Sequence, residues 1–214
     1  MTASASKLFL FGASGHAKVI IDVVEKQGMA LIDCLADDNS ALHGQQFFGY
    51  HVIGGRQQLQ ELHAGTGTAC LIAIGNNRIR AELAAWAETH GFRLAAPAIH
   101  PSAQLSRGTE IGAGSVLMAG CVINADTAIG RNVIVNSGAT IDHDCSISDN
   151  CHIAPGATLC GNVAVGSGTL IGAGAVILPN ITIGSDAIVG AGATVIRDVP
   201  DGKTVVGTPA RTLR

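Results

Sequence analysis

From residue 99 onward the apolar positions repeat with a period of six. Stepping by six from Ile99 meets Leu105, Ile111, Leu117, Ile123, Ile129, Val135, Ile141, Ile147, Ile153, Leu159, Val165, Ile171, Ile177, Ile183, Val189 and Val195, so all 17 positions carry Ile, Leu or Val. With apolar residues at half of all positions, such a run has chance odds of about one in 10⁵. Four residues after each aliphatic comes a small or β-branched residue, as at Ser115, Cys121, Thr127, Cys145, Cys151 and Ala157. A period of six is neither the 2 of a strand nor the 3.6 of a helix, so it marks a repeat in which each hexad is a short strand and a turn. Three hexads close a triangular coil of 18 residues, and coils stack about 4.8 Å apart with the aliphatics pointing inward. Residues 99–200 supply between five and six coils, stable only as a stack with capped ends.

Before residue 99 the pattern changes. Residues 7–25 read as an apolar strand (LFLF), a glycine turn (Gly12-Ala-Ser-Gly15-His16) and an amphipathic helix. A second strand, LIDCLADD, ends in Asp37 and Asp38, and a third, Ala69 to Ile74, ends in Gly75-Asn76-Asn77. Helical stretches near 56–64 and 78–90 complete a βαβαβα order, which predicts a small Rossmann-like parallel sheet. The predicted domains are therefore 1–98 and 99–214.

Composition narrows the function. The 214 residues include 47% hydrophobic but only 3% aromatic side chains, so branched aliphatics and small residues must fill a narrow core. With 14% charged residues and a mean hydropathy of +0.37, the chain is no candidate for disorder. A net charge of −3 removes the basic field that nucleic acid or an anionic membrane attracts. No apolar run is long enough to span a membrane and MTASASK lacks a signal-peptide layout, so a cytoplasmic protein is expected. The six cysteines show no CxxC spacing and read as reduced thiols.

Candidate chemistry gathers in two places. In parallel sheets ligands sit at the carboxyl ends of the strands, where Gly12 to His16, Asp37 with Asp38, and Gly75 to Asn77 fall together. Glycines and a helix N-terminus there can approach a phosphate, and a carboxylate can hold sugar hydroxyls. The full GxGxxG fingerprint is absent, and a turn that needs glycine only for its shape stays open. His16 is either an exposed first-turn residue or a ligand. In the solenoid the polar stretch from Asn136 to His152 stands out. His143 occupies a corner position between Asp142 and Asp144, where a carboxylate can fix its tautomer and raise its basicity for work as a general base; a solvated corner histidine is the alternative. His152 lies nine residues, half a coil, further on, so a neighbouring subunit is needed to bring the two rings together. His100, His143 and His152 also raise a zinc-hydration reading, but their spacings of 43 and 9 include no short ligand pair.

The stretches FGASGHAKVI (11–20), LADDN (35–39), AIGNNRIR (73–80), VLMAGCVINADTAIG (116–130), VNSGATIDHDCSISDNCHIAPGATLCGNV (135–163) and VVGTPAR (205–211) resemble the bacterial sugar O-/N-acetyltransferases of the NeuD, PglD and PerB type, and the likeness covers essentially the whole chain. These are hexapeptide-repeat acyltransferases. The resemblance implies a left-handed parallel β-helix, a homotrimer with active sites between subunits, and acetyl-CoA as cosubstrate with no metal. It implies that His143 is the catalytic base and that Asp144, where relatives often have Glu, tunes it. His152, Gly161 and Ala173 fall at the acetyl-CoA site. Ser14, Gly15, His16, Asp37 and Asp38 match nucleotide-sugar contacts, and Gly75 and Asn76 share their crevice. The implied reaction is N-acetylation of a nucleotide-linked 4-amino-6-deoxy-sugar by direct attack, for surface glycan synthesis. O-acetylation of sialic acid is the nearest alternative, and a non-catalytic β-helical sugar-binding protein is a third.

Overall fold

The structure, a computed structural model, describes residues 6–63 and 68–213. The first five residues, on which most of the signal-peptide reading rests, and the end of the stretch 56–64 lie outside them.

The N-terminal unit has strands β1 (Ser6–Phe11), β2 (Ala30–Ala36), β5 (Ala69–Ile72) and β6 (Arg93–Leu94), which form a parallel sheet in the order β2-β1-β5-β6. Its helices are α1 (Gly15–Gln27), α2 (Arg56–His63) and α3 (Asn77–Thr89). A short hairpin, β3 (Gln46–Phe47) with β4 (Tyr50–His51), follows β2. The expected strand-helix order is present. The hairpin and β6 are additions, each strand only two residues long and too short to carry an alternation. Residues 8–11 of β1 and all of β5 are buried because helices cover the sheet on both sides, the usual reason parallel strands read as continuous apolar runs.

The chain enters the solenoid at the strand Ala98–Ile99. From there two-residue strands stack in three parallel sheets with a register of 18 residues, as in Val116, Ile134, His152, Leu170 and Ile188. From Leu117 to Val195 every inward aliphatic is buried. Leu105, in the first coil, is 41% exposed, because no coil lies beneath it. The other end is closed by Thr204–Val206 and an antiparallel strand, Arg211–Thr212.

The corners obey a rule that the period alone did not reveal. The third residue after each inward aliphatic, from 108 to 192, has a left-handed φ, and each of these positions holds Gly, Asn or Asp. Only those side chains enter that region at small cost. The two units share an apolar core: α1 packs through Ala17, Ile20 and Ile21 on the outer solenoid residues Ala98, Val116 and Ile134.

Candidate active site

The first group of candidates lies at the carboxyl ends of β1, β2 and β5. Gly12 has a φ of +119°, and a Cβ there would sit 2.7 Å from the Ala73 carbonyl oxygen, so the turn requires glycine at this point. Gly15 and Gly75 have no such need. A Cβ at either would meet nothing within 4 Å, and neither φ is left-handed. Both glycines border open space beside the N-terminus of α1. Ser14 is the N-cap of that helix, yet its side chain makes no capping bond, and no acid lies in the first turn. The acid at the positive end of α1 comes from the end of β2, where Asp37 meets the Ala13 N–H; the turn's own N–H groups remain suited to an anion.

Asp37 and Asp38 already have work within the fold. Asp37 accepts from the backbone N–H of Ala13 (2.9 Å) and of Asn39 (2.8 Å), which ties the glycine turn to the end of β2. Asp38 accepts from the Arg56 backbone N–H (3.1 Å) and pairs with the Arg56 guanidinium (2.8 Å), fixing the start of α2. Asn76 caps α3 by accepting from the Ile79 N–H at 3.1 Å. His16 is not the exposed residue of one of its two readings: it is partly buried, its ring centroid lies 6.4 Å from that of His152, and its Nε2 is buried with no hydrogen-bond partner. Burial pushes both imidazoles down to about 4; for His16 the neighbouring His152 and then Arg80 add to this, and for His152 Arg80 does. Both rings are therefore neutral at neutral pH. Asn136 Nδ2 donates to His152 Nε2 (3.2 Å), and the ring also bonds the Gly75 backbone. His152 lines a cleft of about 350 Å³ with Gly75, Asn76, Gly168, Leu170 and Ile188.

The second group sits on a corner of another solenoid face, after the strand Thr140–Ile141. His143 Nδ1 donates to Asp144 Oδ2 at 2.7 Å, and the imidazole is 59% exposed. Its pKa is raised, first by the Asp144 bond and then by the charge of Asp142. Asp142 accepts from the His143 backbone N–H (2.9 Å) and from Asn124 Nδ2 (2.8 Å), and these bonds hold its own pKa down. Asp144 is one of the left-handed corner residues (φ +59°), and from that backbone its short arm reaches the ring. The Nδ1–H is thereby committed to the carboxylate, which leaves Nε2 as the basic nitrogen. Gly161 lies one coil above, and a Cβ there would come within 2.7 Å of His143 Cε1 and Nε2. Only a residue without a side chain leaves the imidazole its place.

The structure thus assembles His143, Asp144 and Gly161 in one cluster and His16, Gly75, Asn76 and His152 in another. Ala173 stands at the corner following the strand Leu170–Ile171, on the same face as His152. Cys145, next to the base in sequence, is turned inward: its thiol donates to the Cys160 carbonyl (3.2 Å), and burial raises its pKa. Among the described residues no three His, Cys, Asp or Glu side chains group as metal ligands, and His100 bonds Ser102 instead (2.7 Å). Also among them, no helix is long and apolar enough to cross a membrane. Sequence reasoning gave no role to Arg80 and read Asn77 as part of a ligand-binding strand end, whereas both join the two units. The available signal was a charge at 80 in register with Leu83, Ala84 and Ala87, the buried face of α3.

A Rossmann-like sheet with an open helix N-terminus, fused to a hexad solenoid that carries an oriented His–Asp pair, defines a hexapeptide-repeat transferase with an α/β domain at its N-terminal side. Comparisons agree. Residues 7–87 match the PglD N-terminal domain, and blocks between 108 and 197 match the bacterial transferase hexapeptide. PerB from Caulobacter crescentus, solved in complex with CoA and GDP-perosamine, is 39% identical over 99% of this chain and 99% of its own, with a TM-score of 0.90. The acetyltransferase domain of PglB from Neisseria gonorrhoeae, in complex with acetyl coenzyme A, is 38% identical (98% and 100% covered, TM-score 0.88). WeeI from Acinetobacter baumannii AYE is 33% identical (97% and 100%, TM-score 0.87). No match is found among curated proteins. The chain belongs to the sugar acetyltransferases of the NeuD, PglD and PerB type.

Proposed function

We propose that this protein transfers the acetyl group of acetyl-CoA to the 4-amino group of a nucleotide-linked 4-amino-6-deoxy-sugar, and that His143 is the general base. The observation that carries the reading is the Nδ1–Asp144 bond beneath the side-chain-free Gly161: it leaves an exposed, basic Nε2 on an open corner. Similarity over nearly full length to PerB, solved with CoA and GDP-perosamine, supports a nucleotide amino-sugar as acceptor. So does the N-terminus of α1, whose cap side chain makes no bond and beside which Ser14 and Gly15 would receive the nucleotide phosphates. Asp37 and Asp38 then act chiefly by shaping that crevice, since both carboxylates are bonded inside the fold. Gly75, Asn76 and His16 form its remaining wall.

In this reaction the amine nitrogen attacks the thioester carbon and a C–N bond forms. The nitrogen loses its proton to His143 Nε2, and the imidazolium is stabilised by Asp144 and Asp142. The tetrahedral oxyanion collapses with cleavage of the C–S bond, and the imidazolium returns the proton to the departing thiolate. The Gly161 N–H, one coil above the base, is the proposed oxyanion donor, and His152 and Ala173 line the coenzyme. The buried thiol of Cys145 argues for direct attack over an acyl-enzyme. Because His143 and His152 stand on different faces, a homotrimer with the site between subunits completes the reading, as does a cytoplasmic place in surface glycan synthesis. The proposed domain limits are 1–98 and 99–214, which divide the strand Ala98–Ile99 between the two.

The test is release of free coenzyme A thiol over a panel of UDP-, dTDP- and GDP-linked 4-amino-sugars, with His143→Ala beside wild type. Turnover on one acceptor, lost in the variant, is expected. Silence across the panel together with acetylation of sialic acid would move the function to O-acetylation.

A further inference from the structure

Arg80 is 1% exposed, in the first turn of α3, and none of its hydrogen-bond partners is a carboxylate. Three bonds go back to its own unit: to the Ile74 and Gly75 carbonyls (3.2 Å each) and to Asn77 Oδ1 (2.8 Å). Three cross to the solenoid: Nε to the Asn132 carbonyl (3.0 Å), and one terminal nitrogen to the carbonyls of Asn150 (2.7 Å) and Cys151 (3.0 Å). Asn132 and Asn150 are left-handed corners on successive coils, and Gly168 is the next. Asn77 Nδ2 continues the series by donating to the Gly168 carbonyl at 2.8 Å. The loop between β5 and α3 is thus fastened to three consecutive coils.

Burying a guanidinium is costly, and the flank where α1 meets the solenoid shows that apolar packing alone can join the two units. What the guanidinium adds is direction. Its five N–H groups lie in a rigid planar fork, so the bonds fix the loop in position and angle. We propose that Arg80 is a positioning residue of the acetyl-transfer site: it locks the Ile74–Asn77 loop onto the coil corners at Asn132 and Asn150, and so sets Gly75 and Asn76 opposite His152. The consequence for substrate rests on the function proposed above. The charge has a second effect. Besides burial, the groups that act on the two imidazoles are His152 and Arg80 for His16, and Arg80 with the Gly75 backbone for His152. The clamp's charge thus adds to burial in favouring the neutral form of His152 and, after His152 itself, of His16.

Two full-length variants test this, Arg80→Met, which removes charge and fork, and Arg80→Lys, which keeps the charge and loses the fork. In both, KM for the nucleotide amino-sugar that the wild type uses is expected to rise at least ten-fold, with kcat within about three-fold. In Arg80→Met the ¹⁵N NMR titration midpoints of His16 and His152, measured without substrate, are expected to climb from about 4. A folded Arg80→Lys with KM within two-fold of wild type overturns the proposal, whatever its melting temperature, and it decides alone if Arg80→Met does not fold. If the wild type turns over no nucleotide sugar, the proposed function falls by itself. The backbone amide shifts of Gly75 and Asn76 then decide the matter, and shifts unchanged in a folded Arg80→Lys overturn the positioning role.

Discussion

Replacing Gly161 with alanine adds one methyl group directly against the imidazole proposed as the base. Its Cβ would lie 2.7 Å from both Cε1 and Nε2 of His143, against about 3.4 Å where ordinary van der Waals contact begins. The ring must therefore retreat by about 0.7 Å. It is free to do so, since it is a side chain on an exposed corner, but its Nδ1 is held by Asp144 at 2.7 Å. Retreat either stretches that bond or swings Nε2 away from the acceptor. Misplacing a catalytic group by about 1 Å costs on the order of 10²-fold in rate, about 2.7 kcal/mol of barrier. Expected for Gly161→Ala is a kcat lowered about 100-fold in the thiol-release assay, with little change in melting temperature, because the φ of Gly161 is not left-handed and no backbone obstructs the methyl. Gly172→Ala is the contrasting control. There the added Cβ would meet the Ala191 nitrogen and the Val189 carbonyl oxygen at 2.6 Å, so the coil itself must shift and thermal stability falls. A Gly161→Ala enzyme with kcat within three-fold of wild type would refute the assigned place of the imidazole.

Asp144→Asn keeps a residue that tolerates the left-handed corner and removes the charge. The base acts in its neutral form, so activity falls as pH drops through the raised His143 value; without the Asp144 carboxylate that value is lower, and the acid limb of the kcat/KM profile is expected to move to lower pH. An acid limb that stays in place would count against the pair. Cys145→Ala should retain kcat within about three-fold and lose about 1 kcal/mol of stability with the thiol's bond to the Cys160 carbonyl, read by denaturant unfolding; abolished turnover would point to an acyl-enzyme. Ile153→Ala, at a fully buried rung, should cost about 2–5 kcal/mol in the same unfolding measurement, whereas Leu105→Ala in the exposed first coil should cost clearly less.

The solenoid was legible because its inward residues repeat the same environment every 18 residues, so one aliphatic per hexad states the whole core. The same logic failed at Leu105, where the sequence is regular but the neighbouring coil is missing. His143 and Asp144 were legible as a polar pair on a corner, and the structure adds the 2.7 Å bond between them. Asp37 and Asp38 add what residue types at strand ends do not tell: a carboxylate suited to a sugar hydroxyl is equally suited to a backbone N–H, and each accepts at least one within the fold. Arg80 escaped because five of its six hydrogen-bond partners are backbone carbonyls, which leave no trace in side-chain chemistry. His16 and His152 could not be paired from sequence, since the docking of two units determines their distance.

The coil register also constrains how such a chain can change length. Duplication of 18 residues above the catalytic corner would lengthen the tower by one storey and leave every surviving residue over its old counterpart. A gain of six would rotate everything beyond it by one face, taking Gly161 off His143 and Gly168 off Asn77 while leaving the hydrophobic core intact. The solenoid alone tolerates growth in thirds of a turn; the docked sheet and the catalytic corner admit only whole turns.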